Sequence, residues 1–159
     1  MKKIIAFADV HGNIHNLLAL MPALVKADAA IFLGDGFSSL EVLPREIEKK
    51  LTAVKGNCDL FCPLPLEAIV EVEGVKILIT HGHAYDVKNT LTKIAARAKE
   101  IGCEVCLFGH SHVFDEKKVD GILCITVPAL GTSRTTNGGR YLELMVANGA
   151  IEVRNLTIQ

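Results

Sequence analysis

The sequence predicts an α/β protein in which two β-sheets pack against each other and helices cover the outside. Over the first two thirds of the chain, short apolar runs typical of buried strands alternate with segments of helical periodicity. Towards the end, apolar and polar residues alternate, and Asp-Gly and Asn-Gly pairs separate the segments, which favours antiparallel hairpins. About ten strands result, and a single sheet of that size tends to curl or to split in two.

Strand and helix alternate in the first third of the chain. Residues 3–8 form an apolar run that predicts a buried strand. A helix follows, because apolar residues recur at helical spacing: Ile14, Leu17, Leu18, Met21 and Val25. Residues 29–33 and 51–55 predict two further strands, and the short helix between them is expected to begin at Pro44, since proline is tolerated in a first helical turn.

From residue 68 onward the sequence predicts mostly strands joined by tight turns, with one helix among them. Residues 68–80 predict two strands, and residues 104–108 predict another. The helix between them ends at Gly102 and has its apolar face at Leu91, Ile94, Ala95, Ala98 and Ile101. Gly-containing pairs predict the tight turns between strands: Glu73-Gly74, Asp120-Gly121 and Asn148-Gly149.

Length and composition favour a single domain spanning residues 1–159, because half of the 159 residues are apolar and can fill a continuous core. The 17 basic and 18 acidic residues nearly cancel, and no basic run is long enough to follow a phosphate backbone, so we expect no stable nucleic-acid binding. Asp9 interrupts the N-terminal apolar run before a signal peptide or a membrane span is complete. We therefore expect a cytoplasmic protein without a membrane partner, and homo-oligomers stay open.

The cysteines predict free thiols. There are five, an odd number without an export signal, so a disulfide framework is not expected. Cys103 and Cys106 form one CxxC pair, but no second pair accompanies it. We interpret both as small buried apolar residues rather than as a structural metal site or a redox pair.

Polar residues with metal-binding or catalytic potential follow five of the predicted strands. They are Asp9 and His11, then Asp35, then Asn57, then His81 and His83, and finally His110 and His112. Ligand sites of α/β sheets form at the carboxyl ends of strands, so these loops are expected to converge on one crevice. Five of the six histidines lie there, all but His15.

Each motif alone is weak evidence for a metal site. An Asp-x-His can be a capping aspartate beside a surface histidine, and a His-x-His can be solvent-exposed. Together, however, the loops supply imidazoles, two carboxylates and an amide without a thiolate ligand. Such a set suits Mn, Zn, Fe or Ni better than Ca or a structural zinc site.

The segments DVHGN (9–13), LGDG (33–36), GNCD (56–59), THGH (80–83) and GHSH (109–112) make the chain resemble the calcineurin-like metallophosphoesterases, and among them the small single-domain phosphodiesterases. The resemblance implies a metallo-dependent phosphatase fold, a four-layer α/β/β/α sandwich of two mixed β-sheets flanked by helices. It also implies two divalent metal ions per chain. One would be held by Asp9, His11 and His112, the other by Asn57, His81 and His110, with Asp35 bridging both.

The reaction expected from this resemblance is hydrolysis of a phosphodiester bond in a small phosphate-ester substrate. Two divalent ions outweigh two carboxylates and so attract a phosphate, and the hydroxide that bridges them would attack the phosphorus in line. Asp9, Asp35, Asn57 and His81 would be the catalytic residues, and manganese is the expected metal, with zinc, iron or nickel as alternatives. Two other functions stay open, a phosphomonoesterase or nucleotidase of the same family and a non-catalytic protein-binding scaffold.

Substrate contacts are less defined than the metal ligands. Many relatives have His after the metal-binding Asn, where it can protonate the leaving group, but this chain has Cys58 there. Asp59, His83 or a metal-bound water could serve as the acid instead. Asn13 is interpreted either as a phosphate contact or as a helix cap, and Arg134 either as a phosphate clamp or as a solvated side chain.

Overall fold

The computed structural model describes residues 1–131 and 138–158, which contain two five-stranded sheets. The strands are β1 (Lys2–Phe7), β2 (Ala29–Phe32), β3 (Leu51–Ala53), β4 (Glu67–Val72), β5 (Val75–Thr80), β6 (Val105–Phe108), β7 (Asp115–Val119), β8 (Ile122–Thr126), β9 (Arg140–Ala147) and β10 (Ala150–Thr157). The helices are α1 (Ile14–Lys26), α2 (Arg45–Glu48) and α3 (Thr92–Glu100), and 3₁₀ turns span Phe37–Val42 and His83–Tyr85. Pro44 is the residue before α2 rather than its first residue.

Both sheets are mixed, as expected. The first has the strand order β10-β9-β1-β2-β3, in which β1, β2 and β3 are parallel and β9 runs antiparallel to both of its neighbours. The second has the order β4-β5-β6-β8-β7, in which β5, β6 and β8 are parallel and the two edge strands are antiparallel. The parallel strands therefore end together and bring their following loops to one edge.

A shared apolar core lies between the sheets. Successive side chains of a strand point to opposite faces, so alternate residues of both sheets meet there. The fully buried members include Ile4, Ala6, Ile31, Ile77, Ile79, Leu107, Leu142 and Leu144. This core fixes the two sheets face to face, which confirms the expected packing of one sheet on the other.

Helices cover the two outer faces. The outward side of the first sheet packs on α1 through Ile5, Phe7, Leu17, Leu20 and Leu24. The outward side of the second sheet packs on α3 through Leu78, Cys106, Phe108, Ile94, Ala95 and Ala98. The layer order is α/β/β/α, as predicted. Cys103 and Cys106 are buried in the second of these clusters, as expected of small apolar residues.

The buried face of α1 differs from the predicted one. Leu17 is buried as expected, but Leu18 and Val25 are 51% and 60% exposed. The helix buries Leu20 and Leu24 instead. Its sequence is apolar on nearly every side, so the periodicity predicts the helix but does not select the face that meets the sheet.

The three predicted tight turns are confirmed. In each, both central residues have positive φ, for example 51° at Asp120 and 83° at Gly121. This is the conformation that matches the twist of antiparallel strands, and it explains the Gly at the second position. Among the described residues, none of the helices combines the length and the apolar character needed to cross a membrane.

Candidate metal centre

The loops after β1, β2, β3, β5 and β6 meet at one edge, where hydrogen bonds join them. The Asp9 N–H donates to the Gly34 carbonyl at 2.9 Å, and the His11 N–H donates to the Asp35 carbonyl at 3.1 Å. The His110 N–H donates to Asp9 Oδ2 at 3.2 Å and so links the two sheets. Hydrogen bonds from backbone N–H groups thus hold together loops from distant parts of the sequence.

A first group of donor atoms consists of Asp9, His11 and His112. Asp9 Oδ1 lies 3.4 Å from His11 Nε2 and 3.2 Å from His112 Nε2. The three ligand atoms lie within 4.8 Å of one another, a spacing that suits a single ion. The resemblance described above implies the same three residues as the ligands of one metal ion.

A second group consists of Asp35, His81 and His110. His81 Nε2 lies 3.2 Å from Asp35 Oδ2 and 3.2 Å from His110 Nδ1. The same carboxylate oxygen of Asp35 is 3.8 Å from His11 Nε2, which belongs to the first group. Asp35 therefore lies between the two groups, where a bridging ligand would have to be.

The buried carboxylate of Asp9 fits a cation better than it fits an empty pocket. Asp9 is fully buried, and its Oδ1 accepts no hydrogen bond from the part of the chain that the structure describes. Burial raises the pKa of this carboxyl, while the charges of His81 and His112 act in the opposite direction. A buried acceptor without a partner is costly unless it binds a donor or a metal, and the surrounding atoms are imidazole nitrogens of metal-ligand type.

The histidines of the second group differ in protonation. His81 is fully buried, and its Nδ1 lies 2.7 Å from the Leu33 carbonyl, so Nδ1 donates and Nε2 faces Asp35, where it would bind a metal ion once deprotonated. Burial disfavours the charged ring of His81, but its hydrogen bond to Asp35 and the charge of Asp9 raise its pKa overall. Burial, together with the charge of His81, lowers the pKa of His110 to about 4, so this ring is neutral at pH 7.

Five of the seven predicted ligands have a left-handed backbone conformation. Their φ angles lie between 46° and 71°, in a region that residues other than Gly rarely adopt: Asp9, His11, Asp35, His110 and His112. Such conformations persist only where the surroundings enforce them, and they concentrate at functional sites. The turns aim these side chains inward from the ends of the strands.

Asp59 holds two of the ligand loops together. Its Oδ2 accepts hydrogen bonds from the N–H groups of Asp35 and Gly56 at 2.8 and 2.9 Å. Its Oδ1 accepts from Gly36 and Phe37 at 2.9 and 3.0 Å. The carboxylate predicted to contact substrate or to act as an acid is thus occupied by four backbone donors, which makes Asp59 a positioning residue.

Asn13 caps α1. Its Oδ1 accepts from the Asn16 N–H at 3.0 Å, and its Nδ2 donates to the Gly131 carbonyl at 2.7 Å. Of the two roles considered for Asn13, the structure shows capping, because both ends of the amide are already engaged.

The Asn13→Ala substitution is expected to lower the free energy of unfolding by about 1 kcal/mol, as for other lost caps, and to leave KM for a phosphate-ester substrate unchanged. Urea unfolding and steady-state kinetics measure the two quantities. Asn13→Ser is the control, since serine also caps and should retain most of the stability. A raised KM with unchanged stability would instead make Asn13 a substrate contact.

The remaining predicted site residues differ in how they relate to the two groups. Asn57 is exposed, with its Nδ2 3.6 Å from Cys58 Sγ. The Cys58 N–H donates to Asp35 Oδ1 at 2.8 Å. The His83 ring lies 5.5 Å from that of His81, and its buried Nδ1 has no hydrogen-bond partner among the described residues. Arg134 lies outside the described residues.

Three exposed apolar residues that follow ligand motifs in the sequence were not predicted. Leu60 is 77% exposed, Phe61 is fully exposed with φ 57°, and Val113 is 70% exposed. All three directly follow ligand motifs in the sequence, Leu60 and Phe61 after GNCD and Val113 after GHSH. Apolar residues in a polar loop without periodicity were the signal that could have identified them.

Comparisons with known proteins agree with this site. Residues 1–149 match the calcineurin-like phosphoesterase superfamily domain. The chain is 31% identical to the probable metallophosphoesterase YsnB of Bacillus subtilis, over 95% of this chain and 88% of the relative. A solved structure of a predicted phosphoesterase from Streptococcus pneumoniae is 26% identical over 98% of this chain and 89% of that one, with a TM-score of 0.81.

A more distant structure shares the fold alone. Vps29 of Chaetomium thermophilum is 16% identical, with both chains fully covered and a TM-score of 0.72. Because the family match spans nearly the whole chain, and the sequence identity to a metallophosphoesterase extends over the same residues, this protein belongs to the calcineurin-like phosphoesterase superfamily of metal-binding hydrolases.

Proposed function

We propose that this protein is a dinuclear phosphodiesterase, most active with manganese, that acts on a small phosphate ester in the cytoplasm. The single observation that supports the pair of ions is the position of Asp35, whose Oδ2 lies 3.2 Å from His81 Nε2 and 3.8 Å from His11 Nε2. Divalent cations, when bound, supply the activated water and the positive charge that in-line displacement at phosphorus requires.

The chain's own residues would position the ions and leave one side open for the ester. Asp9 and His81 are fully buried and form the floor, while His11, His112 and the exposed Asn57 lie at the solvent side. The carboxylate and amide oxygens of this set suit manganese, and its imidazole nitrogens also suit zinc, iron or nickel. A phosphate arriving from solvent would thus meet the face opposite Asp9.

A cavity of about 420 Å³ lies beside the loop that carries His110 and His112 and could receive the ester's organic group. It is lined by Ser111, which lies between two histidine ligands in sequence, by the exposed Val113, and by Lys88 and Lys117. Its volume falls within the range of small-molecule sites. Asp115 also lines the cavity and pairs with Lys117 at 3.6 Å, so the positive charge that would attract a negatively charged substrate comes mainly from Lys88.

Diesters with good leaving groups are the substrates we expect to react fastest. Asp59 is occupied by backbone donors, and Cys58 stands where many relatives have the histidine that can protonate a departing alkoxide. A stable leaving anion needs no acid. A nitrophenyl diester is therefore the probe of choice.

Removal of metal with a chelator is expected to abolish hydrolysis of bis-(nitrophenyl) phosphate, and addition of Mn²⁺ is expected to restore it. Release of nitrophenol measures both. The monoester nitrophenyl phosphate and a nucleotide serve as comparison substrates. Faster hydrolysis of the monoester would make the protein a phosphomonoesterase, and absence of Mn-dependent turnover with every ester would favour a scaffold.

A further inference from the structure

The position of Cys58 provides a third group of donor atoms that the proposed mechanism does not use. Cys58 Sγ, a His11 ring nitrogen and an Asp35 carboxylate oxygen lie within 4.8 Å of one another. Cys58 is exposed, whereas the chain's other four cysteines are buried. Of the five thiols, this one alone faces solvent, and it does so beside two metal-ligand side chains.

Hydrogen bonds hold Cys58 in this position. Its N–H donates to Asp35 Oδ1 at 2.8 Å, and Asp59 fixes the same loop through the Gly56 N–H at 2.9 Å.

The three donors differ chemically from the other two groups. A thiolate, an imidazole and a carboxylate together form a mixed S, N and O set, and thiolates select soft ions such as zinc over hard ions such as manganese. Zinc sites with three protein ligands keep a fourth position for water. The group therefore has the composition of a site for a soft divalent ion, whereas the groups without sulfur suit manganese.

We infer that His11, Asp35 and Cys58 form an alternative site that captures thiophilic divalent ions such as Zn²⁺ or Cd²⁺. Binding replaces the thiol proton: the S–H bond breaks, a metal–sulfur bond forms, and the proton passes to solvent, with no change of oxidation state. Because His11 belongs to both groups, an ion held here would compete with an ion held by Asp9, His11 and His112. Soft ions would thereby displace the harder activating metal.

This inference rests on the proposed function only through the shared residues His11 and Asp35. Metal-free protein is titrated with Cd²⁺, and the ultraviolet charge-transfer band of the cadmium–thiolate bond is recorded together with proton release. The band is expected to grow to saturation with one proton released per ion bound. Cys58→Ser should abolish the band, His11→Ala should weaken Cd²⁺ binding about tenfold or more, and excess Mn²⁺ should suppress the band by competition.

Cys62→Ser is the matched control, because Cys62 is a nearby cysteine that is buried, and this variant should keep the band. A band that survives in Cys58→Ser, that is absent from the wild type, or that excess Mn²⁺ does not affect would overturn the inference. The spectrum does not depend on turnover. The band without Mn-dependent hydrolysis would remove the proposed function alone, and hydrolysis without the band would remove this inference alone.

Discussion

Asp35→Asn is expected to lower kcat for a phosphodiester by about 10²–10³-fold, the loss typical of removing a key charge-stabilising group. The substitution keeps the size and shape of the side chain. It replaces a negative oxygen, 3.2 Å from His81 Nε2 and 3.8 Å from His11 Nε2, with either a neutral oxygen or an NH₂ group. One change therefore weakens both donor groups.

The folded structure already favours the ionised form of Asp35. Burial opposes it, but hydrogen bonds from His81 and from Cys58 prevail and hold the pKa of this carboxyl well below its ordinary value. Asp35 is therefore negative at any pH at which the enzyme would work. The neutral asparagine does not reproduce that charge, whatever the pH of the assay.

The control for this substitution is Asp120→Asn, the same chemical change in an exposed hairpin turn. Asparagine before glycine is as favourable there as aspartate, so activity and stability should be unchanged. Steady-state rates are measured at saturating Mn²⁺, and circular dichroism verifies the fold. An Asp35→Asn variant with activity within a few fold of the wild type would contradict a bridging role.

Asp59→Ala should produce the second large effect, a loss of about 2–4 kcal/mol of stability and at least about tenfold weaker Mn²⁺ binding. The four N–H groups of Asp35, Gly36, Phe37 and Gly56 lose a charged acceptor at once. Water can replace some of these bonds because Asp59 is only half-buried, which limits the loss.

The geometry beside Gly56 explains why the metal site should suffer as well. A Cβ at Gly56 would overlap Asp35 Oδ1, because the Gly56 backbone packs directly against the Asp35 side chain. When the link through Asp59 is lost, Asp35 loses the hydrogen bond that its backbone N–H makes, and its position becomes less well fixed. Urea unfolding of the metal-free protein and calorimetric Mn²⁺ titration measure the two effects. Asp59→Asn, with one acceptor oxygen left, should fall between wild type and Asp59→Ala, and a harmless Asp59→Ala would refute the positioning role.

Local sequence signals predicted most of the fold. The turn at Asp120-Gly121 and the strands around it follow from alternation and from the conformational freedom of Gly, which are properties of neighbouring residues. The face of α1 was wrong because Leu18 and Leu20 are equally apolar, and only the position of the sheet decides which one is buried. The packing of distant segments cannot be deduced from the spacing of apolar residues within one helix.

The candidate ligands were predictable for a different reason. Asp9 and His110 each follow an apolar run, and the parallel arrangement of the strands brings such positions to one edge. The role of Asp59 was not predictable, because its four donors are backbone groups that any residue would supply. The left-handed φ of 54° at Asp9 was also not predicted, because Asp adopts this conformation more readily than most residues but still occurs far more often outside it.

The most direct test of the proposed dinuclear centre is the anomalous diffraction signal of manganese in crystals of the Mn²⁺-loaded protein. We expect two peaks roughly 3.5–4 Å apart with Asp35 between them. One should be enclosed by Asp9, His11 and His112, and the other should be enclosed by Asn57, His81 and His110. A single peak, or two peaks that do not share Asp35, would contradict the dinuclear centre.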